Sequence, residues 1–278
     1  MSGLDAPTRF GCMTLTTDYG YGSGFVGTLH AVAYRIAPAL RVIDLDHNVP
    51  AHEVRLGALR LARFMRLAPP GVHVGIVDPG VGSARRAVAI EAGPHTFVGP
   101  DNGVVAWAAD ACAAAGMRAV VLDRSEYWLE QPSRTFDGRD VFVPVAAHLA
   151  RDATLAEVGS EIDPATLVRL DRPIARVHSH DVAEVEVLQV DGFGNVQLSG
   201  DGDTVTALGL RAGDRLEIGT QGAAPVEATY ATTFSDVGDG DAVLLLDSDG
   251  CLALSVNRGR ADSLLGAHSA HLVTIKRL

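Results

Sequence analysis

Four short segments in the first half of the chain each place a carboxylate beside a glycine, directly after a stretch with the pattern of a β-strand. They are residues 17–20 (TDYG), 77–86 (VDPGVGSARR), 99–103 (GPDNG) and 135–140 (TFDGRD). Taken singly, an aspartate next to glycine or proline is typical of a turn or a helix cap. Because ligands of open α/β sheets bind at the carboxyl ends of the strands, the four segments together indicate a site at that edge.

Alternating strand-like and helix-like segments must position these residues. Strands are predicted at residues 13–17, 41–45, 72–77, 87–90, 96–98 and 119–122. Helices are predicted at residues 24–36, 53–66, 104–115 and 140–151. The run at 72–77 is almost continuously apolar, which is typical of a strand buried on both faces. The alternation predicts an N-terminal α/β domain with a mostly parallel sheet.

The pattern changes after about residue 175, where short β-like runs alternate with turns rich in glycine and aspartate. The runs are 182–190, 196–198, 204–208, 215–218, 226–230, 243–246 and 252–256. They predict a smaller all-β domain of barrel or sandwich type. We therefore expect an N-terminal domain at 1–172, a linker at 173–181 and a C-terminal domain at 182–278.

Composition limits the classes of function. With 278 residues, 47% of them hydrophobic, the chain can bury a sizeable core, and its net charge of −11 argues against a nucleic-acid partner. Cys12, Cys112 and Cys251 are far apart and odd in number, which favours free thiols in a reducing cytoplasm. The sequence contains no apolar run long enough for a membrane span and no signal peptide, so we expect a soluble cytoplasmic protein with no membrane partner.

The ordered motifs TDYG, VDPGVG-x-x-RR, GPDNG, TF-x-GRDVF and DGFGN resemble those of the S-adenosylmethionine hydroxide adenosyltransferases, which are related to the SAM-dependent fluorinases and chlorinases. The resemblance runs from about Thr14 to Asn257. It implies hydrolysis of S-adenosyl-L-methionine (SAM) to adenosine and L-methionine by in-line attack of water at ribose C5′. It also implies a homotrimer with sites at the subunit interfaces. No cofactor or metal is expected, because SAM is the substrate and its sulfonium is already a good leaving group.

The resemblance assigns substrate contacts residue by residue. Asp18 matches a carboxylate that grips the ribose hydroxyls, a charge-assisted contact that fixes the sugar. Phe193 and Asn195 match the aromatic ring and the amide that hold the adenine, and Phe234 is a candidate second stacking partner. Ser23 stands near a position where relatives often carry an aspartate for the methionine ammonium. The other candidate substrate-binding residues are Phe136, Gly138, Ser248, Val256 and Asn257.

Asp78 and Arg85 match two members of the family's water-handling triad of aspartate, arginine and histidine. A guanidinium beside Asp78 favours the ionised carboxylate, which can orient a water molecule or accept its proton. The third triad position, histidine in the hydroxide-type enzymes, is Asp137 in this sequence. If Asp78 and Asp137 lie close together, the two carboxylates cannot both ionise freely. The structural alternative is a buried Asp–Arg pair that only supports the turn.

Two other functions stay open. One is halide transfer to C5′, giving a 5′-halo-5′-deoxyadenosine, although paired carboxylates would repel a halide. The other is a catalytically silent trimer that binds SAM or adenosine, for which Asp137 is the best support. His178, His180 and Asp181 could suggest a metal site, but they fall in the expected linker without a partner cluster, so we expect no metal there.

Overall fold

The structure, a computed structural model, describes residues 9–220, 224–266 and 269–278. It divides into two compact units, of which the first ends at Leu170 and the second runs from Asp171 to Leu278. Each unit has a hydrophobic core of its own. Within the described residues, no helix combines the length and the apolar character that crossing a membrane requires.

The first unit is a sheet covered by helices. Its strands are β1 (Cys12–Thr17), β2 (Arg41–Asp46), β3 (Gly71–Ile76), β4 (Ala87–Ala92), β5 (His95–Pro100), β6 (Met117–Val121) and β7 (Ser160–Ile162). Its helices are α1 (Phe25–Ile36), α2 (Val54–Phe64), α3 (Ala106–Cys112), α4 (Val143–Arg151) and α5 (Leu155–Val158), and a π-helical turn, Gly138–Phe142, leads into α4. Every residue of β1, β3 and β5 is buried, as expected for strands covered on both faces.

The sheet of the first unit is mixed, so the prediction of a mostly parallel sheet is not confirmed. In the strand order β2-β1-β3-β5-β4-β6-β7, the pairs β1–β2, β1–β3 and β3–β5 are parallel. The pairs β4–β5, β4–β6 and β6–β7 are antiparallel. The reason is the connection between β4 and β5, which consists only of Gly93 and Pro94. So short a connection can join antiparallel strands but not parallel ones, and Gly93 makes the turn with a φ of 57°.

The register of β1 and β3 brings two of the chemistry-bearing turns to one edge. The strands pair in parallel with Thr17 opposite Ile76. Asp18 and Asp78 therefore follow at the same, carboxyl, end of the sheet. Helix α4 packs against β1 and β3, and Phe142, at the end of the π-helical turn, is fully buried in the core. This packing fixes the segment 135–140 beside the same edge.

Two histidines are buried together within this sheet. His73 of β3 is fully buried, with its Nδ1 2.9 Å from Thr14 Oγ1 and its Nε2 3.0 Å from His95 Nδ1. Burial, together with the charge of His95, lowers the pKa of His73 from 6.5 to about 3. Burial also lowers the pKa of His95. His73 is therefore neutral in the folded protein at neutral and mildly acidic pH.

We expect the free energy of unfolding to fall as the pH drops from 6.5 toward 3. His73 takes up a proton near pH 6.5 in the unfolded chain but only at about pH 3 in the folded one, so its stabilising contribution is fully present above pH 6.5. Its loss over this range is on the order of a few kcal/mol. Denaturant unfolding of the wild type and of His73→Phe across this range measures the effect. The variant should show the smaller pH slope, and equal slopes would contradict the assignment.

The second unit is a closed barrel with one additional strand. Its strands are β8 (Ala175–Ser179), β9 (Val182–Val190), β10 (Val196–Asp201), β11 (Arg215–Gly219), β12 (Val226–Tyr230), β13 (Ala242–Leu246), β14 (Cys251–Val256) and β15 (Leu272–Arg277). Its helices are α6 (Gly202–Ala207) and α7 (Asp262–Leu265). The order is β10-β14-β13-β12-β11-β15-β9, and pairing of β9 with β10 closes the ring. The prediction of a C-terminal β domain is confirmed, and the architecture is the barrel.

Two segments of the second unit differ from the prediction. Residues 173–181, expected to be a linker, contain β8, which pairs with β9. Residues 204–208, expected to be a strand, begin within helix α6. That helix forms because the Asp201 side chain accepts hydrogen bonds from the backbone N–H groups of Asp203 and Thr204 and so caps its first turn.

Candidate active site

The carboxyl edge of the first unit's sheet carries a cavity of about 290 Å³, which we call the edge cavity. Its lining residues are Asp18, Tyr19, Phe25, His52, Ile76, Asp78, Val81, Thr135, Phe136, Asp137 and Gly138. The fold thus brings three of the four predicted segments together. The fourth segment has a structural role, because Asp101 accepts a hydrogen bond of 2.8 Å from Arg86 Nε and another of 2.9 Å from the backbone N–H of Val168.

The Asp18 carboxylate is held by the backbone of the loop before α2. Its Oδ2 accepts a hydrogen bond of 3.0 Å from the backbone N–H of His52. His52 has a φ of 70°, a left-handed conformation that is unfavourable for a residue with a Cβ. Backbone strain of this kind persists only where the surroundings impose it. The contact at Oδ2 orients Asp18 with its carboxylate in the edge cavity.

Asp78, Arg85 and Asp137 form one hydrogen-bonded cluster at the edge cavity. Arg85 Nε lies 3.1 Å from Asp78 Oδ1 and 3.0 Å from Asp78 Oδ2. A terminal nitrogen of the same guanidinium donates to Oδ2 of both Asp78 and Asp137. The side chains are 6%, 14% and 19% exposed for Asp78, Arg85 and Asp137, so the cluster is largely withdrawn from water while still reaching the cavity. The Arg85 guanidinium also lies over the Phe142 ring, 5.2 Å from its centroid, which is within the distance of about 6 Å for a cation–π contact.

The guanidinium of Arg85, which is shared by Asp78 and Asp137, offsets the repulsion between their two carboxylates. With both carboxylates ionised, the cluster carries one net negative charge rather than two, because Arg85 lies between them. Burial alone would lower the pKa of Arg85, but its hydrogen bonds and charge interactions with Asp78 and Asp137 raise this pKa above its already high ordinary value. Arg85 therefore stays charged at any pH at which the protein is folded. Two acceptor carboxylates fixed by one permanent cation can orient a water molecule.

Tyr19 lines the edge cavity together with Asp78 and Asp137. Its ring packs edge-on against Phe25 and Phe136, with centroids 5.7 and 5.5 Å away. Burial, reinforced by the charges of Asp18, Asp78 and Asp137, raises the pKa of Tyr19 well above its usual 10, so its hydroxyl remains protonated. A Cβ added at Gly138 would clash with this hydroxyl. The glycine therefore lets the π-helical turn approach the ring, and irregular turns of this kind are frequent at functional sites.

The barrel carries a second and larger cavity of about 920 Å³, which we call the barrel cavity. It contains the predicted substrate-binding residues Phe193, Asn195, Phe234, Ser248 and Val256. Phe193 is 80% exposed and Phe234 is 44% exposed, which is unusual for large apolar rings. Exposed rings beside a cavity are suited to stacking on a flat ligand.

Polar side chains of the barrel cavity are held by one another. Asn195 Nδ2 donates to Asp191 Oδ2 at 2.7 Å. The side chain of Gln197, which is 7% exposed, donates from Nε2 to Asp247. Asp247 Oδ1 in turn accepts hydrogen bonds from the backbone N–H groups of Asp249 and Cys251, at 2.9 and 3.0 Å. The loop between β13 and β14 is therefore shaped by Asp247, which leaves Ser248 at the cavity wall.

Three predicted site residues lie outside both linings: Arg85, which contacts the lining carboxylates Asp78 and Asp137, and Ser23 and Asn257. Ser23 is exposed in the turn before α1 and is not among the residues that line the edge cavity. Asn257 follows β14, and its Nδ2 donates to the carbonyl oxygen of Val237 at 2.9 Å, which ties two loops together. The structure does not test the substrate contacts that the resemblance implies for Ser23 and Asn257, and these contacts stay predictions.

Tyr19, His52 and Ser255 are among the lining residues to which the sequence analysis gave no role. Tyr19 and Ser255 line the edge and barrel cavities respectively, and His52 supplies the backbone N–H to Asp18. Tyr19 could have been found, because it directly follows Asp18 in the TDYG motif. His52 offers no such signal, because its contribution depends on a backbone conformation. Across the described ranges, no group of three His, Cys, Asp or Glu side chains is arranged to hold a metal ion.

Comparisons with protein families match both units. Residues 13–159 match a family model described as the SAM hydroxide adenosyltransferase N-terminal domain. Residues 185–274 match the model described as the SAM hydroxide adenosyltransferase C-terminal domain. The two matches together cover well over half of the chain, and residues 160–184 between them include the end of the first unit and the start of the second.

Individual relatives agree with the family models. A protein of Salinispora tropica named (R)-S-adenosyl-L-methionine hydrolase is 45% identical over 94% of this chain and 95% of its own length. A fluorinase of Nocardia brasiliensis is 27% identical, covering 87% of this chain and 88% of its own. Among solved structures, an uncharacterized conserved protein from Thermotoga maritima is 32% identical with a TM-score of 0.87, covering 96% of this chain and 99% of its own.

Proposed function

The chain belongs to the S-adenosylmethionine hydroxide adenosyltransferase family, and from this premise we propose that it hydrolyses SAM to adenosine and L-methionine. One observation carries the proposal: the relative named (R)-S-adenosyl-L-methionine hydrolase is 45% identical over 94% of the chain. The polar cluster at the edge cavity supplies the groups that such a reaction needs. The fluorinase relative is more distant, at 27% identity.

In this proposal Asp18 holds the ribose and the cluster of Asp78, Arg85 and Asp137 holds the water. The His52 N–H fixes one oxygen of Asp18, so the carboxylate presents a defined acceptor to the ribose hydroxyls. Arg85 fixes both other carboxylates, so a water that donates to them has its lone pair in a defined direction. Positioning of this kind is the main source of catalysis when the leaving group is already good.

The reaction is a single displacement at C5′. The water oxygen forms a bond to C5′ while the C5′–S bond breaks, and the electron pair of that bond passes to sulfur, giving neutral methionine thioether. The proton lost by the water passes to a carboxylate of the cluster, which is Asp78 in our assignment because it is the less exposed of the two. We propose that no cofactor or metal takes part, because the sulfonium needs no further activation.

The barrel cavity is the proposed adenine site, with Phe193 and Phe234 stacking on the base and Asn195 at its edge. Ser248 and Val256 contribute to the same wall.

We further propose a homotrimer, in which the barrel cavity of one subunit completes the edge cavity of a neighbour. The exposed rings at both cavities, Phe25 at 44% and Phe193 at 80%, support burial in such an assembly. The free thiols of Cys12, Cys112 and Cys251 fit a cytoplasmic location.

Product analysis in labelled water tests the proposed reaction. The purified protein is incubated separately with the R and S sulfonium diastereomers of SAM in water enriched in oxygen-18, with and without chloride or fluoride. We expect adenosine that carries the label and unlabelled methionine, with no halogenated nucleoside, because two carboxylates flank Arg85 and oppose halide binding. A 5′-halo nucleoside would establish halide transfer instead. SAM binding without any nucleoside product would indicate a binding protein.

A further inference from the structure

A buried hydroxyl at the barrel cavity lacks a hydrogen-bond partner. Ser255 of β14 has no exposed surface and lines the barrel cavity. Within the residues that the structure describes, its Oγ has no hydrogen-bond partner. Leaving a buried hydroxyl unsatisfied costs about 1–3 kcal/mol. A serine in this position is therefore unfavourable for the empty protein, since an alanine would avoid the cost.

Ser255 lies on the side of β14 that faces away from the barrel core. Leu252 and Leu254 belong to that core. Ala253 belongs instead to a small separate cluster with Val243 and Leu245. Because side chains alternate along a strand, Ser255 shares the face of Ala253. It also pairs directly with Val243 of the neighbouring strand. Its neighbours on its own strand and on β13 are thus apolar, while β10 brings Gln197 opposite Ala253. Since no side chain of the described residues bonds Ser255 Oγ, a polar partner can come from the cavity.

The exposed rings of the cavity and the apolar neighbours of Ser255 favour, as that partner, a flat ring with a polar edge. Phe193 and Phe234 offer their exposed faces for stacking. The apolar neighbours of Ser255 would penalise a charged group. A serine hydroxyl both donates and accepts, so it can bond a ring nitrogen or an exocyclic amine. A nucleobase combines apolar faces with such an edge.

We propose that Ser255 Oγ hydrogen-bonds the polar edge of the adenine base and is a specificity-determining residue of the barrel cavity. This inference rests on the proposed function, which places the adenosyl group there. It accounts for the presence of a serine beside Ala253, Val243 and Leu245. The substrate satisfies the hydroxyl, so binding removes a cost that the empty protein carries.

Adenosine binding by the wild type, Ser255→Ala and a matched control tests the proposal. The control is Thr96→Val, because Thr96 is 1% exposed and its Oγ1 also lacks a partner among the described residues, but it lies in β5 and lines neither cavity. Titration calorimetry should show adenosine binding weakened about threefold to tenfold in Ser255→Ala and unchanged in Thr96→Val. Both variants should unfold, without ligand, at the same temperature as the wild type or higher.

Base-modified nucleosides identify the bonded atom. Purine riboside, which lacks the 6-amino group, and 1-, 3- and 7-deazaadenosine each remove one polar group of the base. The analogue that lacks the group bonded by Ser255 should bind the wild type and Ser255→Ala equally well, because it cannot form that hydrogen bond with either protein. Ser255→Cys, with a weaker donor of similar shape, should fall between the wild type and Ser255→Ala.

Three results would overturn the inference. Equal adenosine affinity in the wild type and Ser255→Ala would overturn the inference about Ser255 but leave the proposed function intact. The same loss for every nucleoside would show that Ser255 acts through packing and not through a hydrogen bond. Failure of the wild type to bind adenosine at all would overturn the proposed function together with the inference.

Discussion

Replacing Asp78 by asparagine is expected to lower kcat for adenosine formation by roughly 10²- to 10⁴-fold, the usual contribution of a positioned general base. Asparagine keeps the shape of the side chain and one acceptor oxygen but cannot take up the proton of the attacking water. Arg85 would keep its contact to Asp137, so the turn should remain folded. Single-turnover rates of adenosine release, with the melting temperature measured on the same samples, check this result.

The neighbouring pair Arg86–Asp101 supplies a matched control. Asp101 has a side chain only 4% exposed and accepts from Arg86 Nε at 2.8 Å, but it does not line the edge cavity. Asp101→Asn should therefore lower the melting temperature without lowering kcat per folded enzyme. A loss of kcat in Asp101→Asn as large as that in Asp78→Asn would show that the Asp78–Arg85 pair has only a supporting role.

The sequence predicted the elements whose patterns are local. The apolar run at 72–77 became the fully buried β3, and the Asp-Pro-Gly turn after it placed Asp78 at the sheet edge. Strand direction was predicted less well, because it depends on how a strand returns to the sheet. Gly93 and Pro94 force a hairpin between β4 and β5, although neither strand carries a sign of its direction in its own residues.

The site was predictable to the extent that it follows from strand ends and motifs. Asp18, Asp78 and Asp137 come together because β1, β3 and the turn before α4 meet at one edge. That Arg85 lies between two carboxylates could not be read from the sequence, because it depends on the direction of a long side chain. The burial of Ser255 was equally hidden, since it requires knowing which face of β14 covers the barrel core.

Replacing Asp137 by asparagine is expected to lower kcat about 10- to 100-fold with little change in KM. The substitution removes one of the two charges that hold Arg85, and hydrogen bonds to charged groups contribute about 1.5–3 kcal/mol. The loss should be smaller than in Asp78→Asn, because Asp78 is bound by two nitrogens of Arg85 and keeps its orientation. Steady-state kinetics of adenosine formation separate the two parameters.

Asp137→His, which introduces the residue that the family resemblance implies, decides how the natural aspartate works. If Asp137 is a functional partner of Arg85, a neutral imidazole that accepts from the same guanidinium nitrogen should keep kcat within about tenfold of the wild type. A large gain in kcat would instead mean that the natural aspartate impairs the site. Asp152→Asn is the control for the change in charge alone, because Asp152 is 66% exposed and paired with Arg151 on the surface of the same unit. It should leave kcat unchanged, so that any effect at Asp137 arises from its contact with Arg85 and not from net charge.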